Sequence, residues 1–191
     1  YSGSRGLGDV YKRQLLLIDY GYMETKIKNT IQAVSNHKYS SVLNNIGGSD
    51  ITHNINFNLF KKIIDECGQN GVFSIRISFR GEPFLNPKAF EMIEYAKTHG
   101  IKEVSTLTHG GTLDEKKFEK LIEIGLDWLT ISFDGIGETY DKIRAPLTFE
   151  DAVNKIKRYQ EIKKEKRVVK PVIKVQTVWP AISKNPEEYY N

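Results

Sequence analysis

The sequence contains a single cysteine, Cys67, and this scarcity excludes several kinds of protein. One thiol cannot build a disulfide framework, and it cannot supply a metal site that needs several thiolates from one chain. Cys67 also falls on the apolar face of a predicted helix, which favours a buried structural thiol. The histidines, at positions 37, 53, 99 and 109, do not show the i, i+4 spacing of a helical metal site.

Long apolar runs are missing as well. The run LLLI at 15–18 is far shorter than the ~20 apolar residues of a membrane span, and the residues before it do not resemble a signal peptide. The net charge of +4 is small. The densest basic run, KRYQEIKKEKR at 157–167, is typical of the solvated face of a helix. We therefore expect a cytosolic globular protein that binds neither a membrane nor nucleic acid.

Residues 1–14, YSGSRGLGDVYKRQ, do not resemble the start of a domain. They lack apolar periodicity, and DVYKRQ matches the translation of GAT GTG TAT AAG AGA CAG, a transposon mosaic-end adapter used to prepare sequencing libraries. We expect this segment to be a sequencing-adapter artefact and leave it out of the fold prediction. The predicted domain therefore covers 15–191, and its natural start is expected to be missing.

From residue 55 onward, strand and helix patterns alternate along the chain. Strands are predicted at 72–79, 101–108, 127–134 and 171–179, and helices at 57–68, 87–100, 113–125 and from 149 onward. This alternation predicts an α/β fold of right-handed βαβ units with a parallel sheet. Short links between helix and strand favour a full or partial barrel, with a doubly wound sheet as the alternative. The G-x-G-x-x-G dinucleotide fingerprint does not follow any strand.

Helix starts and apolar faces are also marked in the sequence. Asn86 with Pro87 predicts one helix start, Asp114 a second, and Thr148 with Asp151 a third. Apolar residues at helical spacing are Phe57, Phe60 and Ile64, then Phe90, Ile93 and Ala96, then Phe118, Leu121 and Ile122, and last Ala152, Ile156, Tyr159 and Ile162. In the first predicted strand, alternation places Phe73, Ile75, Ile77 and Phe79 on one apolar face.

Polar groups follow three of the predicted strands, as Gly81-Glu82-Pro83, Thr108-His109-Gly110 and Ser132-Phe133-Asp134-Gly135. The carboxyl ends of parallel strands meet at one edge, where the active sites of such folds lie. Glu82 would offer a carboxylate to a cationic group, while Ser132 and Asp134 share a face and could hold a ribose. Each motif alone fits a simple turn equally well, but three at successive strand ends predict a site. For Arg144, a surface salt bridge and a ligand contact both remain open.

In this order, the motifs resemble the radical SAM superfamily, in particular the branch that often carries a C-terminal SPASM extension. The resemblance runs from about Phe57 to the end of the chain. It rests on SFRGEPFLNP, on STLTHGG in place of the usual Thr-Asn-Gly, and on LIEIGLDWLTISFDG, ETYDKIRAP and KVQTVWPAISKNPEEYY. It implies a partial (βα)6 TIM-like barrel, truncated here at both ends, that binds S-adenosylmethionine.

The resemblance also implies which residues bind this cofactor. Gly81, Glu82 and Pro83 match the strand end that holds the methionyl amino group. Ser132 and Asp134 match residues that contact the ribose or the methionyl carboxylate, and Thr108 and Gln176 are weaker matches. His109 departs from the asparagine of the family. The implied substrate is a small molecule or a peptide, and the implied reductant is a protein such as flavodoxin or ferredoxin.

The iron–sulfur part of the family pattern is absent from this sequence. Family members bind a [4Fe–4S] cluster through C-x3-C-x2-C and use it to cleave S-adenosylmethionine to a 5′-deoxyadenosyl radical that abstracts hydrogen from the substrate. The corresponding region, 34–48, reads VSNHKYSSVLNNIGG, and only its SNH resembles the entry to the cysteine loop. We therefore expect a fragment of a radical SAM enzyme that is inactive as written.

Two alternatives stay open. One is a cluster-free module that binds S-adenosylmethionine or a nucleoside without redox chemistry. The other is an unrelated barrel enzyme for a phosphorylated or carbonyl substrate, which would need a catalytic lysine or a phosphate-binding glycine loop at a strand end. Lys174, which shares a face with Gln176 by alternation, is the residue that could fill this role.

Overall fold

The computed structural model describes residues 14–17, 21–22, 32–35, 38–40, 50–52, 55–78, 82–177, 183 and 186–189. Its strands are β1 (Gln14–Leu17), β2 (Gly21–Tyr22), β3 (Gln32–Ser35), β4 (Lys38–Ser40), β5 (Asp50–Thr52), β6 (Ile55–Asn56), β7 (Ser74–Ile77), β8 (Glu103–Thr108), β9 (Trp128–Ser132) and β10 (Val172–Gln176). Its α-helices are α1 (Phe57–Gln69), α2 (Ala89–Thr98), α3 (Glu115–Glu123), α4 (Glu138–Arg144) and α5 (Phe149–Glu165). Short 3-10 helices span Pro83–Leu85 and Pro186–Tyr189.

The main sheet has five strands in the order β1-β7-β8-β9-β10, and each neighbouring pair is parallel. Helices α1 to α5 lie between these strands in sequence. The strand order never reverses along the described sheet, whereas a doubly wound sheet requires a reversal. The predicted parallel α/β sheet is therefore confirmed, and its strand order is that of a barrel wall.

Two small sheets occupy the chain between β1 and α1. Strands β2 and β6 pair in parallel, and β3 pairs antiparallel with both β4 and β5. Ser35 pairs with Lys38, so the described residues at the start of the expected cysteine-loop region belong to two antiparallel strands. Residues 36–37 and 41–49 lie outside the described part of the chain. Gln14, the last residue of the adapter-like segment, begins β1 and pairs with Ser74.

The apolar faces predicted for the helices form the core. In α1, Phe57, Phe60 and Ile64 are buried, and Cys67 packs half-buried against the same cluster. Burial, followed by the nearby charge of Glu66, raises the pKa of the Cys67 thiol. This environment agrees with the prediction of a structural thiol.

Two expectations for the region around β7 are wrong. Phe73 is 53 % exposed, because β7 begins at Ser74, just after this residue. Of the predicted apolar face, only Ile75 and Ile77 lie in β7 and point into the core. Phe79 lies outside the described residues. Asn86 does not cap α2, which starts at Ala89. Its side chain instead accepts a hydrogen bond from the Lys88 backbone at 2.9 Å, just after the 3-10 helix.

The other predicted helix starts are confirmed. Asp114 accepts a hydrogen bond from the Lys117 backbone at 2.8 Å, and Thr148 accepts one from the Asp151 backbone at 3.2 Å. Within the basic run, Arg158 pairs with three acidic side chains, those of Glu115, Glu161 and Glu165. Helices long and apolar enough to cross a membrane are not found among the described residues.

Candidate functional site

The carboxyl ends of β8, β9 and β10 lie side by side at one edge of the main sheet. Thr108 pairs with Ile131, which pairs with Val175, and one residue further on Ser132 pairs with Gln176. Because side chains alternate between faces, Thr108 points to the face of Ile131, and Ser132 points to the opposite face. The edge therefore carries predicted site residues on both faces of the sheet.

The carboxylate of Glu82 joins the end of β7 to the end of β8. It is 4 % exposed, and it accepts hydrogen bonds from the Thr108 hydroxyl, at 2.7 and 2.8 Å to its two oxygens, and from the His109 backbone at 2.9 Å. The Thr112 hydroxyl (2.9 Å) and the Phe84 backbone (3.3 Å) complete the set. Protein donors therefore occupy the lone pairs of this buried carboxylate.

The loop after β8 is folded around these contacts. The Gly110 backbone donates to the Thr108 hydroxyl at 2.9 Å, and the Gly111 backbone donates to Nδ1 of His109 at 2.9 Å. Nε2 of His109 lies 3.4 Å from Glu82 Oε2. The strand-end motifs around Glu82 and Thr108 thus form one hydrogen-bonded cluster.

Two lysines hold the carbonyl groups of this loop from outside. Lys155 in α5 donates to the carbonyls of Gly110 and Gly111 at 3.1 and 3.2 Å. Lys117 donates to the carbonyl of Thr112 at 2.6 Å. Sequence reasoning missed Thr112, Lys117 and Lys155. The hydroxyl of Thr112 directly follows the two glycines and could have been noticed, whereas Lys155 carries no local signal because it lies in a distant helix.

A second group of polar residues follows β9. Ser132 and Asp134 are 9 % and 8 % exposed, and Asp134 forms an ion pair with Arg144 at the end of α4. The Nε atom of Arg144 is buried and has no hydrogen-bond partner within the part of the chain that is described. The ion pair of Arg144 with Asp134 is therefore not a plain surface salt bridge, and it leaves one hydrogen-bond donor of Arg144 unsatisfied within the described chain.

The remaining predicted residues take three different positions. Pro83 is buried as the first residue of the 3-10 helix after Glu82. Gln176 is exposed at the end of β10, and its carbonyl accepts a hydrogen bond from the Phe133 backbone at 2.7 Å. Gly81 lies outside the described residues. Within residues 82–177, no hydrogen bond joins the Glu82 cluster to the Asp134 group.

An apolar cavity lies behind the loop after β8, between the sheet and α5. Its lining includes Gly111, Ile131, Leu147 and Lys155, and it encloses about 30 Å³. Such a volume holds about one water molecule. The cavity is therefore too small for a nucleoside.

Clusters of three or more histidine, cysteine, aspartate or glutamate side chains that could hold a metal ion are not found within the part of the chain that is described. Cys67, the one thiol of the sequence, lies on α1 against the core.

Comparison with known proteins gives a family and several relatives. The family model described as the Radical SAM superfamily matches residues 27–177. A Methanococcus maripaludis protein named "Probable GTP 3',8-cyclase" is 37% identical over 102 residues, which are 53% of this chain and 34% of that protein. Fe-coproporphyrin III synthase of Methanosarcina barkeri is 37% identical over 84 residues, which are 44% of this chain and 21% of that protein.

A solved structure gives a likeness in three dimensions. Native anSMEcpe with bound AdoMet aligns with a TM-score of 0.55 at 16% identity, over 93% of this chain and 47% of that one. This likeness shows the fold alone, and it agrees with the predicted partial barrel. The chain spans about a third or less of the curated relatives that it matches.

Proposed function

The chain belongs to the radical SAM superfamily, and we propose that the carboxyl ends of its parallel strands bind S-adenosylmethionine. The family combines this cofactor with a [4Fe–4S] cluster. The observation that carries the proposal is the convergence of Glu82 and Thr108 at one sheet edge, beside the paired Ser132 and Gln176. In the intact family member, the proposed substrate is a small molecule or a peptide, the proposed reductant is a protein such as flavodoxin or ferredoxin, and the proposed location is the cytosol.

The methionyl ammonium would lie at the end of β7, against Gly81, Glu82 and Pro83. An ammonium offers three donors and needs acceptors that are not already in use. The Glu82 carboxylate already accepts several protein donors. Among the described residues, the carbonyls of Glu82 and Pro83 each accept only one, from the Leu85 and Asn86 backbones, so each keeps a second lone pair for the ammonium. The buried carboxylate then fixes the segment and contributes negative charge close to the ammonium.

The ribose and the methionyl carboxylate would lie at the ends of β9 and β10. Ser132, Asp134 and Gln176 supply hydroxyl, carboxylate and amide groups suited to ribose hydroxyls. Thr108 supports this edge through its contact with Glu82. Arg144 suits the methionyl carboxylate, since its buried Nε–H lacks a partner in the described chain and an anion would satisfy it.

The donor set of this chain does not fit the [4Fe–4S] cluster. The cluster needs three thiolates from the protein, and the sequence contains one cysteine. Cys67 lies in the wrong place, on α1, and its raised pKa disfavours the thiolate that binds iron. We therefore assign no step of radical chemistry to this chain. The single cysteine also supports the second candidate function, a cluster-free module that binds S-adenosylmethionine.

Titration calorimetry on the 191-residue chain tests the binding site. We expect S-adenosylmethionine to bind, and Asp134→Asn to weaken binding about tenfold or more, because a charged hydrogen bond is worth at least ~1.4 kcal/mol. Glu150→Gln is the matched control, since it removes an exposed carboxylate from the start of α5. Absence of binding heat, or equal affinities for the two variants, would refute the proposed site.

Long-read sequencing of the source DNA across codons 1–50 separates the two candidates. Recovery of a C-x3-C-x2-C motif would assign the chain to a cluster-bearing enzyme. Confirmation of SNHKYSSVLNN in an intact reading frame would assign it to the cluster-free module. In that second case, the purified protein should bind S-adenosylmethionine and contain no iron.

A further inference from the structure

His109 stands where the resemblance expects an asparagine, and three contacts fix its position. Its backbone N–H donates to Glu82 Oε2 at 2.9 Å. Its Nδ1 accepts from the Gly111 backbone at 2.9 Å, and its Nε2 lies 3.4 Å from the same Glu82 oxygen. The side chain therefore lies between the end of β7 and the loop after β8.

The contact with Gly111 selects one form of the imidazole ring. A ring nitrogen that accepts a hydrogen bond carries a lone pair, so Nδ1 of His109 is unprotonated. The single proton of the neutral ring is then on Nε2, which faces the Glu82 carboxylate. A doubly protonated ring would place Nδ1–H against the Gly111 N–H at 2.9 Å, and two donors would oppose each other.

The ring contacts reproduce what an asparagine side chain does in a turn. Asparagine accepts a hydrogen bond from the backbone N–H two residues further on, which gives an Asx turn. Nδ1 of His109 makes this i to i+2 contact, and the His109 backbone N–H donates to Glu82. Nε2 faces the same carboxylate at 3.4 Å, which is longer than an ordinary hydrogen bond. Gly111 must lack a side chain for this arrangement, because an added Cβ would lie 2.9 Å from the ring atoms Cε1 and Nδ1.

We propose that His109 is a positioning residue that, as the Nε2–H tautomer, closes the turn at Gly111 through Nδ1, while its own backbone N–H holds that turn to Glu82 at the end of β7. Through this link it orients the strand-end backbone that binds the cofactor, and this consequence rests on the proposed function. Lys155 and Thr108 hold the loop independently, through the Gly110 and Gly111 carbonyls and the Gly110 N–H. Loss of the ring should therefore misalign the loop without unfolding it.

Nitrogen-15 NMR of the histidine side chains in the 191-residue chain tests the tautomer directly. The His109→Asn variant identifies which of the four ring spectra belongs to His109. We expect a protonated Nε2 and an unprotonated Nδ1 near pH 8. A protonated Nδ1, or the averaged signals of a freely exchanging ring, would overturn the proposal. This NMR measurement of the tautomer does not depend on whether S-adenosylmethionine binds.

Calorimetry with S-adenosylmethionine tests the consequence for the site. His109→Ala should weaken binding about tenfold, His109→Asn should restore it to within about threefold, and His109→Gln should not, because its amide is one methylene too far for the turn. Equal affinity for the Asn and Gln variants would overturn the positioning role. If the wild-type chain does not bind, the proposed function fails, and the NMR signals alone decide whether Nδ1 of His109 closes the turn at Gly111.

Discussion

The Thr108 hydroxyl donates to the Glu82 carboxylate across the ends of two neighbouring strands, 2.7 Å from one oxygen and 2.8 Å from the other. Thr108 is fully buried and Glu82 is nearly so. A buried carboxylate is tolerated only when donors surround it. The contact therefore fixes the relative positions of β7 and β8 at the edge where the cofactor is proposed to bind.

Thr108→Val should destabilise the protein by about 2–3 kcal/mol. The substitution keeps the shape of the side chain, but it removes a donor from a buried charged acceptor, and such bonds contribute ~1.5–3 kcal/mol. It also leaves the Gly110 N–H, which now donates to this hydroxyl, without its acceptor. Urea unfolding measures the change. Thr108→Ser is the control and should cost about 1 kcal/mol, because it loses only a methyl group. A valine variant as stable as the serine variant would contradict this role.

Much of the fold could be predicted from sequence because its signals are local. Asp114 and Thr148 cap helices with their own side chains, and the apolar spacing of α1 requires only neighbouring residues. The predicted burial of Phe73 is wrong because the start of a strand is set by its pairing with the neighbouring strand, which alternation in the sequence does not reveal. Asn86 was misplaced because a 3-10 helix intervenes before α2, and its hydrogen bond serves the preceding turn.

The site was predictable to the level of strand ends but not of contacts. Parallel topology brings the ends of β7 and β8 together, so the meeting of Glu82 and Thr108 follows from the fold class. The sequence did not indicate that the Glu82 carboxylate would be occupied by the chain's own donors. The contact from Lys155 arises only when α5 packs beside the loop, 45 residues away from Gly110.

The opposite edge of the sheet contains a second buried carboxylate, Asp127, which gives a pH-dependent prediction. It is 2 % exposed and accepts hydrogen bonds from Lys170 at 2.5 Å and Lys97 at 2.7 Å. Burial on its own raises the pKa of Asp127, but these two lysines and the Val104 backbone outweigh burial and hold the pKa below its ordinary value near 3.8.

Asp127→Asn should lower the stability by about 2–3 kcal/mol at neutral pH, because charged hydrogen bonds to a buried acceptor are lost. A folded-state pKa below the unfolded value means that the stabilisation is complete above the unfolded pKa. It is lost as the pH falls through the lower folded value. The gap in unfolding free energy between wild type and variant should thus be constant above about pH 5, and it should disappear as the pH falls below 3.8.

Urea unfolding between pH 2 and pH 7 measures this gap, at about one-unit steps. Lys170→Met is the matched control, since this lysine is mostly exposed and its loss should have a smaller effect than the loss of the carboxylate. A gap that stays constant down to the lowest pH would show that Asp127 is not stabilised as the ionised form.

Gly68→Ala should destabilise the protein even though alanine is the better helix former. Alanine in place of glycine gains about 1 kcal/mol inside a helix. However, the added Cβ would lie 2.0 Å from the backbone carbonyl oxygen of His99, where α1 meets the end of α2. A backbone atom cannot rotate away, so the helices must separate, and overpacking of this kind costs ~1–3 kcal/mol or more.

Thermal and urea unfolding of Gly68→Ala should show a net loss of about 1–2 kcal/mol in unfolding free energy, because the cost of overpacking exceeds the helical gain of alanine. Gln69→Ala is the matched control, because it changes an exposed residue at the next position of the same helix and should stay within about 0.5 kcal/mol. A stabilised Gly68→Ala variant would mean that α1 and α2 are further apart than described.

Gly111→Ala should act mainly by displacing the His109 ring. The added Cβ would lie 2.9 Å from two ring atoms and 2.7 Å from Cδ2 of Leu147. The leucine methyl is at the end of a flexible side chain and can move, whereas the ring is held by the Gly111 N–H and lies beside Glu82. We expect a loss of about 1–3 kcal/mol in the wild-type background.

A double-mutant cycle with His109→Ala measures how much of the Gly111→Ala effect passes through the ring. With the imidazole removed, the same substitution should cost at least ~1 kcal/mol less, because contacting residues give coupling energies of ~0.5–3 kcal/mol. Urea unfolding of the four proteins supplies the cycle. Additive losses would show instead that Leu147, or the backbone of the loop, resists the added methyl. The strict need for glycine at this position would then be independent of His109.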